Sequence, residues 1–165
     1  MQLISKFTIV ILVLLSGSVC AQSVSEQQVI KVLNSFHQAA ASADGAKYFS
    51  LLSDDAVFLG TDATERWNKV QFSGFAEPYF SKGKGWTYHP RDRHVAFSAA
   101  GQVAWFDELL DNESYGECRG SGVIQLIDGE WLISQYHLTI PVPNELAAEM
   151  AERISKLKNR IKTSR

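Results

Sequence analysis

The sequence predicts an α+β domain in which helices come first and a long antiparallel sheet follows. Apolar residues recur at helical spacing from Val29 onward, whereas from Trp86 onward the apolar period changes to two. The dipeptide Asp128-Gly129 lies between two apolar segments and favours a two-residue hairpin turn. This order of elements disfavours a doubly wound parallel sheet. The sequence has no glycine-rich phosphate loop and no closely spaced His/Cys motif, so no cofactor and no metal are expected.

Residues 1–21 are predicted to be a signal peptide. Lys6 supplies a short positive region, and residues 7–15 form an apolar run that is too short to be a stable membrane anchor. Val19-Cys20-Ala21 offers the small residues that a signal peptidase needs, so cleavage is expected before Gln22. The mature chain should then be periplasmic or secreted, without an integral membrane segment. A lipoprotein acylated at Cys20 is the alternative, although Val19 fits that chemistry poorly.

The rest of the chain is expected to form one domain, residues 22–143, followed by a basic amphipathic helix, residues 144–165. The formal net charge is −2 with interspersed signs, which argues against nucleic acid as a partner. Cleavage would leave Cys118 as the only cysteine, so no intramolecular disulfide is expected. A small buried apolar residue is the first interpretation of Cys118, and an intermolecular disulfide or a reactive thiol is the alternative.

Three helices are predicted before the sheet. Ser25 and Gln28 form a capping box at the start of the first helix, and Asp44-Gly45 ends it. A short helix over residues 46–52 and a brief strand over residues 56–60 follow. A third helix is expected from Thr64 to Phe80 with Asp62 as its cap. The expected inward residues of these helices are Val29, Leu33, Phe36, Ala40, Ala43, Tyr48, Phe49, Leu52, Trp67, Val70, Phe75 and Tyr79.

Three further strands and a last helix complete the prediction. The strands cover residues 102–110, 117–127 and 130–140, and Pro141 and Pro143 end the sheet. Asn144 can cap a helix whose apolar residues are Leu146, Met150, Ile154, Leu157 and Ile161. Cations near its end complement the helix dipole. A dimerising or partner-binding stripe is the functional alternative, and an anionic membrane surface ranks third.

The hairpin turn predicts a register for the sheet. It pairs Leu126 with Trp131, Ile124 with Ile133, Gly122 with Gln135, and Gly120 with His137. A simple register for the preceding connection adds Trp105 beside Gly122 and Asp107 beside Gly120. Asp107, Gly120 and His137 then form a row whose outer members stand roughly 10 Å apart, which leaves room for a small ligand. A one-residue shift in that connection would move Asp107 to the other face.

Three groups of residues resemble the SnoaL-like members of the nuclear transport factor 2-like superfamily. They are residues 58–62 with 65–67, residues 103–107, and residues 128–133 with 135–139 and Pro141. The resemblance covers residues 25–143 and implies a cone-shaped fold in which a curved antiparallel sheet wraps around helices. It also implies a pocket at the open end and, in many members, a homodimer through the outer sheet face. The superfamily includes isomerases, cyclases, dehydratases and non-catalytic binding domains, so the fold does not assign the chemistry.

Asp107 and His137 are the candidate catalytic residues, because a carboxylate and an imidazole in a shared pocket can exchange protons with a ligand. A structural His137 and a solvated Asp107 are the alternatives, since either Asp107 or Glu108 must face outward. His37 is expected at the edge of its helix. The candidate ligand-binding residues are Asp62, Trp67, Trp105, Gln135 and Tyr136.

Three functions follow from this sequence. The first is an exported protein, expected as a homodimer, whose pocket binds a small, partly apolar molecule. The second is an isomerase, cyclase or dehydratase that uses Asp107 and His137. The third is a protein-interaction module built from the outer sheet face and the basic helix.

Overall fold

The computed structural model describes residues 14–163. Residues 1–13, which hold Lys6 and most of the apolar run of the predicted signal peptide, lie outside the described residues. The helices are α1 (Leu14–Ala41), α2 (Gly45–Ser50), α3 (Lys69–Phe80) and α4 (Asn144–Thr163). The strands are β1 (Leu52–Leu59), β2 (Arg66–Asn68), β3 (His89–Phe97), β4 (Val103–Asn112), β5 (Gly116–Ile127) and β6 (Glu130–Thr139). Among the described residues, no helix is both long and apolar enough to cross a membrane.

The six strands form one curved sheet in the order β2-β1-β6-β5-β4-β3. All neighbouring strands are antiparallel except β1 and β6, which run parallel. The long excursion of the chain between these two strands permits the parallel pairing, since a tight turn joins only antiparallel strands. The α+β class with N-terminal helices, a curved sheet and a C-terminal helix is confirmed.

The core lies between the helices and the inner sheet face, which we define by the buried side chains of Ala104, Phe106, Glu108 and Leu110 on β4. Aromatic rings fill much of it: Phe58 stacks on Phe72 with ring centroids 3.8 Å apart, and Phe36 stacks on Tyr48 at 4.3 Å. Cys118 is a free, fully buried thiol, as its first interpretation predicted.

The third helix begins later than predicted. Residues 66–68 form the short strand β2, and Asn68 caps α3 in a capping box with Gln71. The prediction that Asp62 caps this helix is therefore wrong. The inward residues are Phe72, Ala76 and Phe80, one stripe at a spacing of four, while Val70, Phe75 and Tyr79 are exposed. The predicted inward stripe of Val70, Phe75 and Tyr79 is therefore wrong, and the stripe that contains Phe72 faces the core instead.

Two one-residue shifts change the predicted register. Across the connection before β5, Asp107 pairs with Ser121 instead of Gly120. On β6, the pairs Leu126–Trp131 and Ile124–Ile133 are confirmed, but Val123 pairs with Gln135, so one extra residue forms a bulge at Ser134. The predicted pairs Gly122–Gln135 and Gly120–His137 are therefore wrong.

Candidate functional site

Asp107 and His137 lie on the outer face of the sheet. The pairs His94–Asp107, Asp107–Ser121 and Ser121–His137 place these four residues in one line, which we call the outer row. The Asp107 side chain is 55% exposed, and its Oδ1 lies 3.5 Å from Nδ1 of His94, whose side chain is 75% exposed. The two shifts thus keep Asp107 and His137 on one face, as predicted, but on the solvent side. Their proposed catalytic roles stay a prediction.

The candidate ligand-binding residues are dispersed. Asp62 is exposed in the β1–β2 connection, where its carboxylate accepts hydrogen bonds from the Thr64 backbone and hydroxyl. These bonds, with a smaller contribution from the charge of Lys158, lower the pKa of Asp62. Trp67 stacks on Phe75 beside α3, with ring centroids 5.0 Å apart. Trp105 and Gln135 are exposed on the outer face, and Tyr136 is buried.

Tyr136 belongs to a buried polar cluster around Glu108. Glu108 has no solvent exposure, although its neighbour Asp107 is exposed. Its Oε1 lies 2.6 Å from Nε2 of His37 and accepts a longer bond, 3.4 Å, from the Tyr136 hydroxyl. Its Oε2 accepts a 2.7 Å bond from Nε of Arg93. We call His37, Arg93, Glu108 and Tyr136 the buried cluster.

The elements of the fold bring this cluster together across long stretches of chain. His37 follows Leu33 by four residues and therefore lies on the buried stripe of α1. Glu108 follows Phe106 by two residues and faces inward from β4. Gly120 is paired with Glu108, and a Cβ there would collide with the Tyr136 hydroxyl and come within 3.1 Å of Glu108 Oε1. The bare backbone of Gly120 therefore makes room for both side chains.

The buried cluster is held together by charge. Burial alone would raise the pKa of Glu108. The hydrogen bond from His37 and the charge that this ring carries when it is protonated, joined by the charge and hydrogen bond of Arg93, outweigh burial and lower the pKa. Burial, followed by the negative charge of Glu108, raises the pKa of Tyr136 well above its ordinary value. The cluster therefore contains an ionised carboxylate beside a neutral phenol at physiological pH.

An ionised carboxylate can only accept hydrogen bonds, so Nε2 of His37 must carry a proton and donate it to Glu108. The other ring nitrogen, Nδ1, makes no hydrogen bond with the residues whose side chains the structure describes, residues 25–161 and 163. In the neutral tautomer Nδ1 bears a lone pair. The bond from Nε2 to Glu108 fixes the orientation of the His37 ring, and in the neutral ring Nδ1 can accept a hydrogen bond from another group.

His37 also lines a cleft of about 250 Å³ between α1 and the start of β3. The other lining residues are Asn34, Gln38, Ala41, Thr87, Tyr88, His89 and Pro90. Asn34 connects the cleft to the buried cluster, because its Oδ1 accepts a 2.7 Å bond from Nη1 of Arg93. Burial raises the pKa of Tyr88 to about 12, so this phenol is a neutral donor at physiological pH.

Two larger depressions lie elsewhere on the helices, one along α1 and α2 and one between α2 and α3. Their ionisable lining residues, Asp44, Lys47 and Glu77, are all exposed. The cleft at His37 differs because it reaches a buried charged cluster. In the part of the chain that the structure describes, no group of three or more His, Cys, Asp or Glu residues could hold a metal ion.

Residues 29–143 match the SnoaL-like domain, which is more than half of the chain. The chain belongs to the SnoaL-like domain family. Comparison with curated proteins gives no match. This assignment confirms the resemblance of the sequence and leaves the activity open, since the family shares a fold and not a reaction.

Solved structures with this fold are distant in sequence. A nuclear transport factor 2-like protein of unknown function from Pseudomonas putida KT2440 has a TM-score of 0.63 at 16% identity, covering 74% of this chain and 91% of its own. A cystatin-like domain of unknown function from Nostoc punctiforme PCC 73102 gives 0.62 at 17%, covering 85% and 98%. A candidate scytalone dehydratase from Novosphingobium aromaticivorans DSM 12444 gives 0.62 at 9%, covering 74% and 89%. These likenesses show the fold alone.

Three residues of the buried cluster, His37, Arg93 and Glu108, are not among the site residues that the sequence predicts. His37 was expected at a helix edge, yet its spacing of four from Leu33 already placed it on the apolar stripe. Arg93 lies between Asp92 and His94 in a polar stretch that is typical of a surface bend. Glu108 could have been found from the alternation of β4, since the exposed Trp105 and Asp107 leave Phe106 and Glu108 on the opposite face.

Proposed function

We propose that this protein binds a small, partly apolar molecule in the cleft between α1 and the start of β3, and that Nδ1 of His37 accepts a hydrogen bond from it. The observation that carries the proposal is the pairing of His37 with the fully buried Glu108, at 2.6 Å, directly behind the cleft. Because Glu108 holds Nε2, the His37 ring has one orientation, and Nδ1 therefore points in one direction. Such a fixed acceptor favours a ligand with a hydroxyl or N–H group.

The size and lining of the cleft support the same class of ligand. At about 250 Å³ it is slightly smaller than the pockets that hold drug-sized molecules. Ala41 and Pro90 provide apolar surface, and Gln38 and Thr87 provide polar groups that can fix orientation.

Native mass spectrometry of the purified chain tests this proposal by detecting a co-purified molecule. Ala41→Phe should fill the cleft and abolish the adduct, because Ala41 is an exposed lining residue that is not a member of the buried cluster. Ala99→Phe is the matched control, since it adds the same ring at an exposed turn that follows the end of β3, whereas the cleft borders the start of that strand. An adduct that persists in Ala41→Phe would contradict the proposed location.

A second candidate function is proton transfer by His37. A histidine backed by a buried carboxylate is the arrangement in which an imidazole acts as a general base. The enzyme hypothesis then rests on His37 and Glu108 at a cleft, while Asp107 and His137 would act only on a ligand bound at the outer face. Among the neighbours by fold, one is a candidate scytalone dehydratase, which makes this alternative worth testing.

Deuterium uptake tests this second function. The co-purified molecule is incubated in D₂O with the wild type, with His37→Gln and with His137→Gln. Carbon-bound deuterium that requires His37 but not His137 would support proton transfer at the cleft. Equal uptake with all three proteins would contradict it, and no uptake with any would leave binding as the function.

Export and homodimerisation are further parts of the proposal. Trp105 is 51% exposed on the outer face, a large apolar surface that a second copy would cover. Light scattering after size exclusion should give twice the chain mass for the wild type and the chain mass for Trp105→Ser. Cell fractionation should recover a chain that begins at Gln22 outside the cytoplasm.

A further inference from the structure

The helix α4 carries an apolar stripe that the rest of the described chain does not cover. Its members are between 37% and 49% exposed: Leu146, Met150, Ile154, Leu157 and Ile161. A 20-residue helix that does not bury its apolar side against its own domain gains little from packing. A surface outside the domain is therefore expected to cover this stripe.

The charges of α4 indicate what that surface is. The last acidic residue of the helix is Glu152, and the five charged residues that follow it up to Lys162 are all basic. At about 100° per residue, Arg153 and Arg160 lie on one side of the stripe and Lys158 on the other, each about 60–80° from its centre. Cations thus border the apolar stripe on both sides over its C-terminal half.

This border argues against a second copy of α4 as the partner. The spacing of Met150, Ile154, Leu157 and Ile161 alternates between four and three, which is the seam of a helix pair. In such a pair, the residues that border the seam of one helix face those of the other. In a parallel pair Arg153 would face Lys158 of the other helix, and in an antiparallel pair it would face Arg160. Cations therefore meet in either orientation, which destabilises the pair.

We infer that α4 docks on the anionic surface of a lipid bilayer, with its apolar stripe lying at the boundary between headgroups and acyl chains. Long basic side chains that border a stripe can rest their methylenes on apolar lipid and extend their charges to the phosphates. A flat, uniformly negative surface satisfies the cations on both sides of the stripe at once.

The interactions of the helix within the chain are weak enough to be compatible with this docking. The charge of Lys158 acts on the exposed Asp62, and solvent screens that interaction. Glu149 pairs with Arg153 and Glu152 with Lys156, but both are solvated pairs of one helix and contribute little. Between the sheet and the helix, Ile140 and Val142 are exposed and alternate with two prolines, so this connection adds apolar surface next to the start of the helix in the chain. The docking surface is separate from the cleft at His37.

Vesicle sedimentation tests the inference. The chain beginning at Gln22, which lacks the apolar leader, is mixed with vesicles of phosphatidylglycerol and phosphatidylcholine in equal amounts, or of phosphatidylcholine alone, and the full chain is run beside it. Binding is expected only to the anionic vesicles and should be lost at high salt. Lys158→Gln with Arg160→Gln should weaken binding about thirtyfold, at about 1 kcal/mol for each cation.

The matched control is Lys82→Gln with Lys84→Gln, which makes the same charge change at an exposed turn and should alter binding less than twofold. Ile154→Ser with Leu157→Ser should also abolish binding, while Val70→Ser, at a 79% exposed position on α3, should not. Equal binding to both vesicle types, or none to either, would overturn the inference. A dimer in solution that Ile154→Ser dissociates would overturn it as well, because a second copy would then cover the stripe.

Discussion

Asp107 and Glu108 are neighbours in the chain, yet they belong to two different electrostatic environments. Asp107 lies in the outer row, where its side chain is 55% exposed and its nearest cationic group is a solvated histidine. Glu108 lies in the buried cluster, where it has no exposure and contacts His37, Arg93 and Tyr136. Strand alternation alone therefore places one carboxylate in solvent and its neighbour in the chain among protein groups.

The two environments also differ in what they do to a histidine. His94 is exposed on the outer row and lies 3.5 Å from Asp107, and His137 on the same row is half-buried. His37 is fixed by a carboxylate that water does not reach. For this reason the buried cluster, and not the outer row, has the order that a specific binding site requires.

The largest expected effect comes from removing the charge of Glu108. Glu108→Gln should lower the free energy of unfolding by about 3–5 kcal/mol, because the largely buried Arg93 loses the carboxylate that compensates its charge and His37 loses a charged acceptor. Asp107→Asn makes the same change one residue away and should alter it by less than about 0.5 kcal/mol. Denaturant unfolding of both variants measures the difference. Similar losses in the two would mean that the faces do not differ as described.

The next effect sharpens the comparison on the neighbouring strand β5. Gly120→Ala should destabilise the protein by about 1–3 kcal/mol, because the added methyl group collides with the Tyr136 hydroxyl beside Glu108. Ser121→Ala, on the outer row, should stay within about 0.5 kcal/mol of the wild type. Thermal unfolding of the pair provides the check, and a neutral Gly120→Ala would show that the buried cluster has spare room.

Local sequence patterns predicted the fold class and part of the strand register correctly. Helical spacing, the Asp128-Gly129 turn and the alternation of β4 identified the fold class and the pairs Leu126–Trp131 and Ile124–Ile133. These features are local, and the residues concerned carry their own signal. The family resemblance rested on the same segments and was correct.

The site was harder to predict because it depends on long-range registers. The bulge at Ser134 and the length of the β4–β5 connection each shift the sheet by one residue, and a shift of one reverses the face of every side chain. Tyr136 was correctly selected as a residue of interest, but His37 lies 71 residues from Glu108 in the chain. No local pattern reports a contact between residues so far apart.

A smaller effect is expected in the pH dependence of stability. The folded-state pKa of Glu108 is lowered, so its stabilisation is fully present above the ordinary carboxyl pKa of about 4.3 and is lost as the pH falls through the lower folded value. The stability difference between the wild type and Glu108→Gln should therefore be constant near neutrality and shrink below about pH 4. Denaturant titrations across this range measure it. A difference that grows with acid would mean that Glu108 is protonated in the folded protein.

The smallest effect is expected for the His94–Asp107 pair on the outer row. A double-mutant cycle with His94→Ala and Asp107→Ala, measured at mildly acidic pH, should give a coupling of about 0.2–1 kcal/mol that high salt removes. Solvent screens this pair because both side chains are more than half exposed. The same cycle on His37 and Glu108 should keep its coupling at high salt, since ions do not reach a buried pair. If salt removed both couplings equally, the carboxylate behind His37 would be as wet as Asp107, and the ordered imidazole on which the binding proposal rests would not exist.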